Sequence, residues 1–129
     1  MPNRPQGMIG GEVLSTVVSI GATSAARATA LTPTTGNRVR IISVLIVSNA
    51  LTTAPGAVSV YFGTGAAYTT TAANAIFEGV PGTTGSAQMV WPDFGGPLGA
   101  VDAVVSWITA TETETALRLT LTYREEPPG

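Results

Sequence analysis

The chain has 129 residues, enough for one domain that buries about two-thirds of the surface its unfolded chain would expose. It has no cysteine, lysine or histidine, and its six arginines are outweighed by eight acids, for a net charge of −2. This composition excludes disulfides, thiolate metal sites and histidine-assisted nucleophiles, and it argues against nucleic-acid binding, which needs clustered positive charge. No secretory leader is visible and no apolar run approaches the ~20 residues of a spanning helix, so a soluble protein is expected.

Short strands separated by turns are predicted along the chain. Apolar residues never recur at helical spacing, and breaks rich in glycine, proline or threonine arrive about every ten residues. The predicted strands are residues 12–20, 24–31, 38–48, 57–62, 75–80, 88–91, 100–109 and 115–124. Such a series predicts an all-β fold, a single antiparallel β-sandwich of about eight strands. A jelly roll is the preferred order and an immunoglobulin-like order the alternative.

The sandwich domain is predicted to span residues 12–124. Residues 1–11 are a Pro/Gly-rich N-terminal arm, and residues 125–129 are a C-terminal tail whose prolines cannot continue a strand. The last strand shows the clearest pattern, because Leu117, Leu119, Leu121 and Tyr123 fall on one face while arginine and threonine fall on the other. We therefore expect the leucine face to point into the core.

Two strands are apolar on both faces. The strand at 38–48 becomes so at 41–47, and in the strand at 100–109 the side chains of Val104 and Ile108 lie opposite those of Val105 and Trp107. No helix is predicted that could cover a second apolar face. Either these faces pack against another copy of the chain, which is the preferred interpretation, or they are covered under a long loop of the same subunit.

Few residues could carry chemistry. Glu112 and Glu114 could form the carboxylate pair of a glycosidase, but a solvated hairpin loop is the simpler interpretation. Asp93 and Asp102 bracket a glycine-rich loop and could hold a hard cation, although turn capping is expected instead. We therefore predict no catalytic, metal-binding or cofactor-binding residue, no cofactor, no small-molecule substrate and no enzymatic activity.

Interactions with other proteins are better supported. Trp91 and Phe94 are aromatics at a strand end, where interface anchors occur, with core packing as the alternative. Arginines on outward strand faces could pair with acids of a neighbouring subunit or simply be solvated. Arg4 lies in an arm that could reach a neighbouring molecule or be disordered. The candidate interface residues are Arg4, Trp91, Phe94, Val104, Ile108, Arg118 and Arg124, with Arg38 and Arg40 as further outward arginines and Glu112, Glu114, Glu125 and Glu126 as their possible partners.

The order of these features over residues 38–125 resembles that of the small β-sandwich decoration, or cement, proteins of tailed-phage heads. The resemblance lies in five segments, RVRIISVLIVSN, VSVYFGTG, AAYTTTAANA, WPDFGGPLG and LRLTLTYRE. It implies a structural virion protein of the capsid surface that forms a homotrimer and docks on the shell of the major capsid protein, stabilising it. No partner nucleic acid or membrane is implied.

Two alternatives remain from the sequence. Another virion component, in the tail or neck, would also be a small β-domain that forms rings. A carbohydrate-binding or adhesive sandwich would present aromatic side chains on an open face, and Trp91, Tyr61 and Tyr68 are the candidates.

Overall fold

A computed structural model describes residues 12–20, 27–49, 57–65, 74–109 and 117–127 of the chain. The strands are β1 (Leu14–Ile20), β2 (Ala28–Leu31), β3 (Arg38–Ser48), β4 (Val58–Phe62), β5 (Ala75–Gly79), β6 (Gly85–Val90), β7 (Val105–Thr109) and β8 (Leu117–Glu126). A short 3-10 turn lies at Pro92–Phe94. None of the described residues belongs to a helix long and apolar enough to cross a membrane.

The strands form two antiparallel sheets, the first sheet (β1-β8-β3-β6) and the second sheet (β2-β7-β4-β5). Along the chain, β4 pairs with β5, β3 with β6, β2 with β7 and β1 with β8. The chain is therefore a long antiparallel ribbon with β4 and β5 at its tip, folded over so that β3 also meets β8 and β4 also meets β7. This is the strand order of a jelly roll, and it confirms the predicted eight-stranded sandwich.

The alternation in β8 supplies the centre of the core. Leu117, Leu119 and Leu121 are fully buried, and Tyr123 is nearly so. They pack with the buried valines and isoleucines of β3 and with the inner face of the second sheet. Because alternate residues of a strand point to opposite faces, the residues between the leucines lie on the outside of the first sheet.

The strand predicted over residues 100–109 is shorter than expected. Only Val105–Thr109 forms β7, because a turn occupies Val101 and Asp102. Asp102 has a φ of 64°, its carboxylate accepts the Gly36 N–H at 2.6 Å, and its own N–H donates to the Asn37 carbonyl at 2.8 Å. Aspartate tolerates this left-handed conformation and caps turns, so the turn interrupts an otherwise apolar run.

Two strands extend beyond their predicted bounds. β6 begins at Gly85, ahead of the predicted start at 88, because the residues from Gly85 onward pair with β3. β8 continues to Glu126, past the predicted end at 124, because Glu125 and Glu126 pair with the start of β3. The predicted N-terminal arm lies outside the described residues.

The strand predicted at 100–109 with two apolar faces is buried on both of them, over residues 105–109, within a single chain. Every residue of β7 is buried, including Trp107 on the core face and Ile108 on the outer face, which is 4% exposed. All five residues of β4 are buried as well. This burial favours the alternative in which one subunit covers both faces of the strand by itself.

Candidate interaction surface

Several of the acidic residues that the structure describes make hydrogen bonds within the fold. Asp102 caps a turn, as expected, and Glu78 accepts a hydrogen bond from the Ser59 hydroxyl at 2.7 Å. Glu125 accepts hydrogen bonds from the Thr34 N–H at 2.7 Å and from the Asn37 amide at 3.2 Å. No group of three or more potential metal ligands occurs among the described residues, and Glu112 and Glu114 lie outside them.

The environment of Glu125 favours its charged form. Partial burial raises the pKa of this carboxyl, but the hydrogen bonds from Thr34 and Asn37 outweigh that effect and hold the pKa below its ordinary value of 4.5. The carboxylate thereby ties the loop between β2 and β3 to the end of β8. Glu125 is thus part of the fold.

The outer face of the second sheet is covered within the chain. Ser106 accepts a hydrogen bond from Arg27 at 2.8 Å and donates one to the Gly63 carbonyl at 2.6 Å. Tyr61, 1% exposed, donates its hydroxyl proton to the Gly65 carbonyl at 2.6 Å. Burial raises the pKa of Tyr61, and the positive charge of Arg27 only partly opposes this. These polar groups are all hydrogen-bonded within the chain, so little of this face is available to a partner.

The outer face of the first sheet is different. The strand register places twelve outward positions in three transverse rows. From β1 to β6, the rows are Ser19-Arg118-Val47-Ser86, Val17-Thr120-Leu45-Gln88 and Ser15-Thr122-Ser43-Val90. We name these twelve residues the neutral face, because Arg118 is the single charged residue among them.

The neutral face exposes apolar side chains among hydroxyls. Val17 is 62% exposed, Val90 58% and Val47 38%, whereas Leu45 is half-buried. With four strands ~4.8 Å apart and three rows of alternate residues ~6.8 Å apart, the face covers roughly 19 Å by 20 Å, or about 400 Å². A stable interface buries about 800 Å² per partner, so this face can form only part of one.

An ionic cluster lies at one end of the same sheet. Arg40 and Arg124 face each other across β3 and β8, and Glu126 lies between them. A Glu126 carboxylate oxygen is 2.7 Å from Nε of Arg40 and 3.4 Å from a terminal guanidinium nitrogen of Arg124. The acid therefore screens two like charges that would repel if placed side by side. Pairs predicted between subunits thus form here within one chain.

The predicted interface residues are scattered over the fold. Trp91 is half-buried and packs against the core, and the backbone of Phe94 lies in the 3-10 turn. Val104 is half-buried, and its carbonyl accepts the Gly63 N–H. Ile108 and Arg124 are buried, Arg118 is exposed on the neutral face, and Arg4 lies outside the described residues. Their roles in contacts between copies stay predictions.

Sequence reasoning missed Val17 and Val90, the apolar members of the neutral face on β1 and β6, whereas the two-sided apolar run predicted at 41–47 already contained Leu45 and Val47. In β1 the run Thr16-Val17-Val18 does not reveal which valine points outward. The pairing of Val18 with buried Leu119 decides this, because it turns Val17 to the outside. A usable signal was present in Ser15 and Ser19, whose alternation with Val17 marks a solvent-facing row.

No family model and no curated protein matches the chain. Among solved structures, it is similar to a chain of the capsid asymmetric unit of cyanophage Pam1, at 20% identity and a TM-score of 0.47, over 99% of this chain and 93% of that one. It is also similar to a chain of the virus-like particle of extra small virus from the giant freshwater prawn Macrobrachium rosenbergii, at 15% identity and a TM-score of 0.42, over 100% and 88%. Scores this low establish no relationship, and the jelly-roll assignment rests on the strand order of this chain.

Proposed function

We propose that the chain is a structural virion protein of the decoration, or cement, type, which associates with copies of itself and docks on the assembled head shell. The observation that carries this proposal is the neutral face, an exposed sheet surface of valine, leucine, serine and threonine. Such a surface has no catalytic group and suits contact with another protein surface of low charge.

The arginines support a structural role. Arg27 donates to two hydroxyl groups, and Arg38 donates from Nε to the Gly99 carbonyl at 2.9 Å. Arg40 and Arg124 share Glu126. The positive charges of these four arginines therefore take part in contacts within the fold. A nucleic-acid surface would instead need arginines clustered and directed at phosphates.

A sugar-binding function is less well supported. Stacking on a sugar needs exposed aromatic rings on one open surface. Tyr61 is 1% exposed, Trp91 packs against the core, and Tyr68 lies outside the described residues. A tail or neck role would use the same neutral face, and it differs from the decoration role only in the structure to which the chain binds.

The mechanism is mass action. A protein that binds the expanded shell but not its separate subunits stabilises the expanded state by the free energy of binding. A face of about 400 Å² gives a weak contact, but several such contacts in a ring, held at many shell sites, add through effective concentration. A homotrimer on the capsid surface is the assembly that we expect.

Cosedimentation with shells tests the proposal. The shells would be assembled from the major capsid protein encoded in the same genome, in unexpanded and expanded forms. The wild-type chain should bind the expanded form, and Val47→Glu, which charges the neutral face, should weaken binding at least tenfold. The matched control is Val101→Glu, at a valine of similar exposure (45%) in a turn away from that face. It should bind as the wild type does.

Three results would count against the decoration role. A genome that encodes no capsid protein would remove its premise. Failure of the wild-type chain to bind either shell form would refute docking, and equal loss for both valine variants would refute the neutral face as the contact.

Deleting residues 2–10 should leave the fold intact and weaken docking, and unchanged affinity would eliminate the arm as a contact.

A further inference from the structure

The edges of the second sheet are protected against pairing with another chain. β2 has four residues, and its register with β7 shifts between Thr29 and Leu31. β5 carries the charged residue Glu78, and its register with β4 also shifts. Short length, charge and irregular register are the features by which proteins keep exposed strand edges from associating.

The edges of the first sheet have none of these features. β1 is seven residues long (LSTVVSI) and β6 is six (GSAQMV), without a charged residue or a proline in either. Their pairings with β8 and β3 run without a register shift. Val17 and Val90 are mostly exposed on these strands. Among the described strands, β1 pairs with β8 alone and β6 with β3 alone.

The directions of these two edges match. The order β1-β8-β3-β6 is antiparallel throughout, so β1 and β6 run in opposite directions at the two edges of one sheet. When a second copy is placed beside the first in the same orientation, its β1 lies antiparallel to the first copy's β6. The sheet then continues across the boundary with the hydrogen-bond pattern that it has inside each copy.

We propose that β6 of one copy is the docking edge for β1 of another copy, which extends the first sheet from subunit to subunit. The inference deepens the self-association in the proposed function and rests on it. The contact is head-to-tail, so a closed ring leaves no edge of the first sheet unpaired. A symmetric β1-to-β1 contact would instead leave both β6 edges open.

Two structural consequences follow. An added strand of this length forms about six main-chain hydrogen bonds, which compensates for the small apolar area of the neutral face. The three rows of the neutral face would also continue across the boundary, since register and side-chain alternation are shared by paired strands. Hydroxyl and valine side chains would then line an uninterrupted surface around the ring.

Crosslinking tests the pairing, and the absence of native cysteine makes each introduced thiol unique. Val17→Cys would be mixed in turn with Ser86→Cys, Gln88→Cys and Val90→Cys, which sample the register along β6, and treated with a short bismaleimide. The control mixture is Thr29→Cys with Glu78→Cys, which places thiols at the exposed edges of the second sheet. Self-association of each variant would be followed by light scattering across a concentration series.

At least one β1/β6 mixture should give covalent dimer at ten times the yield of the control or more, while Val17→Cys alone should give none above control. Dimer from Val17→Cys alone, equal to that of the mixtures, would replace the head-to-tail contact with a symmetric one. Association without crosslinking at any β6 position would overturn the edge pairing and leave the proposed function standing. A chain that stays monomeric at every concentration and fails to bind shells would overturn both.

Discussion

Replacing Glu126 with glutamine should destabilise the fold by about 2–4 kcal/mol. The carboxylate is nearly buried, at 2.7 Å from Arg40 and 3.4 Å from Arg124. The two arginines face each other across β3 and β8. Because the glutamine amide carries no net charge, their guanidinium groups would repel each other without a carboxylate between them. Removing one partner of a buried ion pair costs about 3–5 kcal/mol. The expected loss is smaller because the Arg40 side chain is 25% exposed.

Thermal and urea unfolding, followed by circular dichroism, would measure this loss. For a domain of this size, 1 kcal/mol corresponds to a shift in Tm of about 4 °C, so we expect a decrease of about 8–16 °C. The control is Glu78→Gln, at an exposed acid on the second sheet. Glutamine there can still accept the Ser59 hydrogen bond, so its Tm should change by less than about 4 °C.

A second variant separates charge repulsion from lost hydrogen bonds. Combining Arg40→Met with Glu126→Gln removes one of the two facing cations, so part of the lost stability should return. No recovery would assign the loss to hydrogen bonding instead. If the free energy of unfolding of Glu126→Gln lies within about 1 kcal/mol of the wild-type value, Glu126 does not hold the cluster together.

Three further predictions concern the core, the loops and the pH dependence of stability. Leu119→Asp should abolish folding, because it buries a charge in the core. The control, Thr120→Asp, changes the adjacent residue on the neutral face and should stay folded. Circular dichroism would distinguish the two, and if both proteins fold, the assignment of these residues to opposite faces is wrong. Gly96→Ala should lower the free energy of unfolding by about 1–3 kcal/mol, because the alanine methyl group would collide with a main-chain carbonyl of β3. An unchanged midpoint of urea unfolding would refute this contact. The lowered pKa of Glu125 contributes stability that is fully present above its ordinary pKa of 4.5 and is lost as the pH falls through the folded-state pKa. Glu125→Gln should therefore lower the free energy of unfolding by about 1 kcal/mol at pH 7 and make it depend less on pH below 4.5. If the variant loses stability at acid pH as steeply as the wild type does, the Glu125 carboxylate is not the cause of that loss.

Local periodicity was sufficient to predict most of the fold. The leucines of β8 and the bounds of β3 follow from neighbouring residues alone, because alternation and turn residues act over a few positions. The turn at Asp102 could not be predicted in this way. It depends on Gly36, which is distant in sequence and supplies the N–H that the aspartate carboxylate accepts. A long-range hydrogen bond therefore ended a strand that its own residues would have continued.

The candidate surface was harder to predict for the same reason. Exposure in β1 depends on which of two adjacent valines meets Leu119, and only the pairing register decides this. The arginines of β3 and β8 look solvent-facing in sequence. In the fold, Arg40 and Arg124 share Glu126 and form an internal cluster, whereas Arg118 is exposed on the neutral face. Side-chain chemistry identified the residue types, whereas strand register determined which of them touch.

The small size of the neutral face is itself informative about how such a chain would act. At about 400 Å², the face alone has about half the area of a stable interface, so separate chains gain little by pairing through it. Main-chain hydrogen bonds at unprotected edges, and repeated binding sites on a shell, each add free energy that is available only in an assembly. A surface nearly free of charge suits this arrangement, because side chains that carry no charge escape the desolvation cost of burying ions when the contacts form. If the proposed assembly forms, weak contacts between isolated chains and strong retention on an assembled array would both follow from the same surface.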